Sequence, residues 1–168
     1  MKPIALKTTA LLAALALQAC SSTARFETSQ AGTQLTVRGL ETVQLPHSFD
    51  LGAKATGQHE FQALGPDGKS MYGILPLRVN GGRMAVSILF FAPALALGGF
   101  RDAYPVYELD IEKGEIRYQA DDSKHWRVHR ISPAESERAK AFFQGCKQGP
   151  AAADCPKPGA TAKAAPQG

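Results

Sequence analysis

At 168 residues the chain has room for one domain of ordinary size with flexible ends, and a second full domain does not fit. Its 19 Lys and Arg against 15 Asp and Glu give a formal charge of +4, half of it from Lys2 and Lys7 near the N-terminus, so the remainder is too weakly basic to argue for nucleic acid. Three cysteines stand at positions 20, 146 and 155.

Lys2 and Lys7 precede an apolar run over residues 9–16 that is too short and wrongly flanked for a spanning helix, which is the build of an export leader. The run closes on Leu17-Gln18-Ala19-Cys20. This tetrapeptide resembles the bacterial lipobox, with Leu17 at the third position before cleavage, Ala19 at the position before the cut and Cys20 receiving the diacylglyceryl group. The resemblance implies that residues 1–19 are a lipoprotein signal peptide and that the membrane is a partner through lipid on Cys20. The alternative is an ordinary signal peptide with an incidental cysteine. Ser21 is not Asp, and by resemblance to sorting in enteric bacteria this implies the outer membrane, facing the periplasm. With Cys20 set aside, Cys146 and Cys155 remain as an even pair in an exported chain, which predicts a disulfide. Free or metal-binding thiols are the competing reading, although no further cysteine or nearby histidine completes a ligand set.

Residues 20–25 are small and polar and predict a tether. From Phe26 the texture becomes that of short strands: Leu35 with Val37, Phe49 with Leu51, and residues 59–64. Residues 29–61 resemble a PEGA-type β-domain. Gln30-Ala31-Gly32-Thr33 stands at its signature, Gly39 at its turn, Pro46, Phe49 and Leu51 at its Pro-x-x-(apolar)-x-(apolar) step, and residues 57–61 at its last strand. The resemblance implies a non-catalytic β-module and supplies no active-site residues.

After Gly65-Pro66-Asp67-Gly68, the residues Met71, Gly73, Leu75, Leu77 and Val79 fall on one face of an extended chain, with Tyr72 and Arg78 on the other. Asn80-Gly81-Gly82 suits a tight hairpin, with residues 84–91 as the returning strand. Residues 84–100 form a 17-residue run without a charge. A transmembrane helix needs about 20 apolar residues, and Pro93 and Gly98-Gly99 interrupt this run. A buried strand continuing into an apolar turn or short helix is the second reading, and a surface lying against a bilayer or a protein partner is the third. Leu95, Leu97 and Phe100 are the candidate contact residues of that surface. The run also resembles, faintly, the Gly-rich apolar segments of small bacterial lipoproteins.

Residues 106–111 and 115–118 predict two more strands, and residues 124–131 a last one, with Trp126 and Val128 on one face and His125, Arg127 and His129 on the other. Ser132-Pro133-Ala134-Glu135 has the capping-box pattern of a helix start, and Gly145 is the expected stop. The tail, residues 147–168, predicts a disulfide-closed turn followed by disorder.

Catalytic constellations are scarce. His125 and His129 lie too far apart on a strand to chelate one ion, and no Gly-x-Ser-x-Gly elbow or phosphate-cradling loop is present. His125, Arg127 and His129 form a candidate anion-binding face, against the plainer reading of an edge strand kept soluble by its charges. The expectation is therefore a mainly β, antiparallel, sandwich-like domain over residues 26–146 with one short C-terminal helix, no metal and no cofactor. It is expected to be a lipid-anchored periplasmic protein that binds or supports an envelope assembly. A periplasmic inhibitor or immunity lipoprotein, and an enzyme acting on envelope polymers through a pocket joining residues such as His59, Asp102 and His125, are the alternatives.

Overall fold

The computed structural model describes residues 21–54, 57–82, 84–85, 99–120, 125–148 and 155. Two sheets share one hydrophobic core. The first, of five strands, has the order β11-β10-β9-β1-β4, where β1 is Ser21–Thr28, β4 His47–Gly52, β9 Val106–Asp110, β10 Glu115–Gln119 and β11 Trp126–Arg130. The second has the order β3-β2-β5-β6, from Thr42–Gln44, Gln34–Val37, Glu60–Leu64 and Ser70–Ile74. A short ribbon joins β7, Leu77–Val79, to β8, Arg101–Ala103. A helix, α1, spans Pro133–Gln148. The mainly β, sandwich-like expectation holds, with one addition: β1 pairs parallel to β9, so the larger sheet is mixed.

Alternation explains the core. Directly paired residues share a face, so Phe26, Tyr107, Leu109 and Ile116 point inward from the first sheet and Leu35, Val37, Phe61 and Ala63 from the second. All eight are fully buried. Tyr107 carries a hydroxyl into this core and satisfies it twice. The hydroxyl donates to Pro76 O at 2.6 Å and accepts from Tyr104 N–H at 2.9 Å, while burial pushes its pKa up. Tyr107→Phe keeps the ring but leaves the part-buried Pro76 carbonyl and the buried Tyr104 N–H short of a partner. It should therefore lower the unfolding free energy by about 1–3 kcal/mol in urea titration. A variant as stable as the parent would deny the bridge any structural part.

The outer face of the first sheet is a charged ladder. Arg25 meets Glu27 at 2.8 Å, Arg117 meets Glu108 at 2.9 Å, and Arg130 meets Glu115 at 3.5 Å. Such exposed pairs add little stability. Only Arg130 among them belongs to β11, the edge strand of this sheet.

Four expectations are corrected. The tether does not stand: Ser21 to Arg25 are the first part of β1, an internal strand held antiparallel by β4, because Ala24 and Phe26 have core partners in Phe49 and Tyr107. The hairpin at residues 80–82 does not form. Residues 81, 82, 84 and 85 are helical, with Met84 N–H donating to Asn80 O at 3.0 Å, and β7 takes β8 as its partner. Asn80 is committed to that pairing, since its N–H donates to Phe100 O and its side-chain amide to Asp102 Oδ2 at 2.9 Å. The long strand over residues 71–79 is split after Ile74 at Leu75-Pro76, where the proline has no N–H for a ladder. The helix passes Gly145 and ends at Gln148; nothing crowds Gly145, and a glycine costs a helix only about 1 kcal/mol.

The capping box forms as read. Ser132 Oγ accepts from Glu135 N–H at 3.3 Å and Glu135 Oε2 accepts from Ser132 N–H at 2.9 Å. From there α1 lies across the outer side of β6 and β5, burying Ala139 and Phe143, the latter against Tyr72. Arg38 bonds both carboxylate oxygens of Glu60 and lies 4.7 Å over the Phe142 ring, which fixes helix to sheet.

Candidate functional site

An open groove of about 180 Å³ runs between the start of α1 and the β7–β8 ribbon. Its apolar wall is Ile74, Leu75, Pro76 and Leu77, the segment where Pro76 breaks the strand. Its polar wall is Gln58, Arg101, His129 and Glu135. Each polar group is delivered by a different element. Arg101 heads β8 and donates from Nη2 to Gly57 O at 2.6 Å. Gln58 follows that carbonyl and accepts from Arg138 of α1 at 3.4 Å.

His129 comes from the inward side of β11, because it pairs with Ile116, which is fully buried. Its Nε2 lies 3.1 Å from Glu135 Oε1. Burial alone would raise the Glu135 pKa, but the Ser132 N–H and hydroxyl and the His129 ring outweigh it and hold the carboxyl below its ordinary range. One carboxylate therefore both caps the helix and fixes the imidazole. The groove thus offers an imidazole, a guanidinium and an amide around an apolar floor, and none of its lining residues is a serine, threonine or cysteine. Such a set can hold a ligand by hydrogen bonding and charge.

The sequence-predicted residues are placed unevenly. Of His125, Arg127 and His129, only His129 reaches the groove, and it faces a carboxylate. Arg127 is exposed on the same side of the edge strand and His125 is exposed just before it. The facing of β11 is the reverse of its hydropathy: Val128 is 54% exposed and Trp126 packs on the outer side under Arg117, whose guanidinium is 5.1 Å from its ring. Pairing with β10 decides this, since Ile116 must point inward and takes His129 with it. Phe100 is partly buried, with its carbonyl bonded to Asn80. Cys20, Leu95 and Leu97 lie outside the described residues. Cys146 and Cys155 are bonded to one another, with their Cα atoms 5.5 Å apart.

His59 and Asp102 are both buried and, like His125, do not line this groove. His59 Nε2 donates to Gly52 O at 3.1 Å, and Asp102 accepts from Asn80. Among the described residues no group of three or more His, Cys, Asp or Glu is placed to hold a metal ion, and no helix is long and apolar enough to cross a membrane. Sequence reading missed Gln58 and Arg101, which carry no local signal: each is a polar residue in a short loop or at a strand head, and tertiary placement brings them to the groove, Arg101 through β8 and Gln58 through its bond from Arg138. Compared with known proteins, the chain matches no family model, no curated sequence and no solved structure.

Proposed function

We propose that this protein is a lipid-anchored component of the bacterial envelope, held in the outer membrane and facing the periplasm, that works by binding. The observation that carries the reading is the position of β1. Its first residue, Ser21, directly follows the cysteine of the lipobox-like Leu17-Gln18-Ala19-Cys20, so cleavage before Cys20 would leave every described strand in place. The Cys146–Cys155 pair fits an oxidising compartment. The groove beside α1 supports a binding role, because it sets a guanidinium, an amide and a carboxylate-held imidazole beside an apolar wall.

The test is metabolic labelling with a fatty-acid analogue in a diderm host, followed by mass measurement of the N-terminal peptide. The parent chain should carry acyl label on Cys20, and Cys20→Ala should lose it and be released as soluble protein or remain unprocessed. Equal labelling of the two would sink the anchor.

A further inference from the structure

We propose that the end of the body where β1 begins lies directly on an anionic phospholipid surface, an inference that rests on Cys20 being the lipidated residue. Strand register defines this end. Ser21 pairs with Gly52 at the close of β4, and two residues further on Lys54 exchanges backbone hydrogen bonds with Arg101 at 2.9 and 3.0 Å. Arg101 pairs in turn with Val79 at the close of β7, and Phe100 accepts from Asn80, after which residues 81, 82, 84 and 85 are helical. The start of β1, the end of β4 and the β7–β8 opening therefore make one rim.

Distance forces the contact. A domain on a flexible linker can stand away from the bilayer, but here no spacer separates Cys20 from the first strand residue. Consecutive Cα atoms are about 3.8 Å apart, so acyl chains on Cys20 bring Ser21, and with it the rim, to the headgroup layer.

The chemistry of the rim suits that surface. Residues 21–22, 52–54, 79–82, 84–85 and 99–101 include Lys54 and no Asp or Glu; the Arg101 guanidinium is turned to Gly57 O in the groove, and the neighbouring Asp102 is buried against Asn80. Three large apolar side chains are left exposed among the described residues, and two of them are here: Val79 at 59% and Met84 at 39%. The Lys54 ammonium meets anionic headgroups while apolar side chains enter the acyl boundary, the combination that holds a body in the interface. The opposite end carries three carboxylates, against Lys113 and Arg130. Because β9 runs parallel to β1, its turn into β10 points away from the rim, and that turn brings Asp110, Glu112 and Glu115 together around Lys113.

The test uses the full-length lipidated protein in vesicles of phosphatidylethanolamine and phosphatidylglycerol whose acyl chains are brominated near the headgroup. In a Trp126→Phe background, Val79→Trp and Met84→Trp should each lose emission by about twofold relative to unbrominated vesicles, as expected for shallow insertion, and Glu112→Trp should not change. Adding Lys54→Glu should reduce the quenching of both rim probes. Both positions are exposed, so neither indole has to enter the core, and if one variant fails to fold the other reads the same rim. Rim probes as bright as the Glu112→Trp control, in protein that floats with the vesicles, overturn the docking and leave the anchor standing. Protein that does not float and has no acyl mass overturns the anchor and the docking with it.

Discussion

Phe26→Ala should cost about 3–5 kcal/mol of folding stability, the usual range for deleting a buried aromatic ring. Phe26 is fully buried at the centre of the sandwich, stacked on Tyr107 with centroids 5.0 Å apart and a 10° interplanar angle, and edge-on to Phe49 at 5.7 Å. Both neighbours are themselves inward residues of the first sheet, on strands flanking β1. The hole left by the ring would therefore sit between β4 and β9, where closure requires two strands to move against their ladders. Domains of this size have total stabilities of about 5–15 kcal/mol, so the variant should be mostly or largely unfolded at moderate urea. Phe26→Leu, which retains much of the volume, should lose less than half as much. Urea titration by circular dichroism checks the pair. An alanine variant within about 1 kcal/mol of the parent would show that β1 does not hold the core together.

Much of this architecture was legible residue by residue, and the parts that were not have a common cause. Leu35 with Val37 and Met71 with Gly73 announce strands because one face is buried and the period of two survives in the sequence. The Ser132 to Glu135 capping box is local chemistry and forms as read. The opening of β1 was illegible because Ser21, Ser22 and Thr23 are short and polar; the strand exists because β4 and β9 pair with it from either side. Hydropathy turned β11 the wrong way round, since Trp126 and Val128 look like core until Ile116 on the neighbouring strand fixes the facing. The groove shares that dependence on pairing. His129 was on the page as a candidate, but its partner Glu135 and its neighbour Arg101 meet it only through register and helix placement.

The second large effect is a dependence of stability on pH that one side chain dominates between about pH 4 and 6.5. His59 is buried at the head of β5, where its Nε2–H donates to Gly52 O at the close of β4, so the ring ties the two sheets together as a neutral imidazole. Burial lowers its pKa to about 4; the Lys54 ammonium and Arg38 act in the same sense, and Glu60 and the Gly52 carbonyl oppose them. In the unfolded chain the ring titrates at its ordinary 6.5. Between those values the unfolded state binds a proton that the folded state refuses, so the unfolding free energy rises with pH. The stabilisation is complete above about pH 6.5 and falls on acidification, by roughly 3 kcal/mol by the time pH 4 is reached. Below that both states bind the proton and His59 adds no further slope. Glu135, whose carboxyl is held below its ordinary 4.5, loses its contribution only as pH falls beneath that value, so it does not mimic the effect. Urea titrations at intervals from pH 4.5 to 7 should show the decline in the parent and a nearly flat profile in His59→Gln, whose amide has no proton to gain. A flat parent profile, or the same slope in both proteins, would remove His59 from this role.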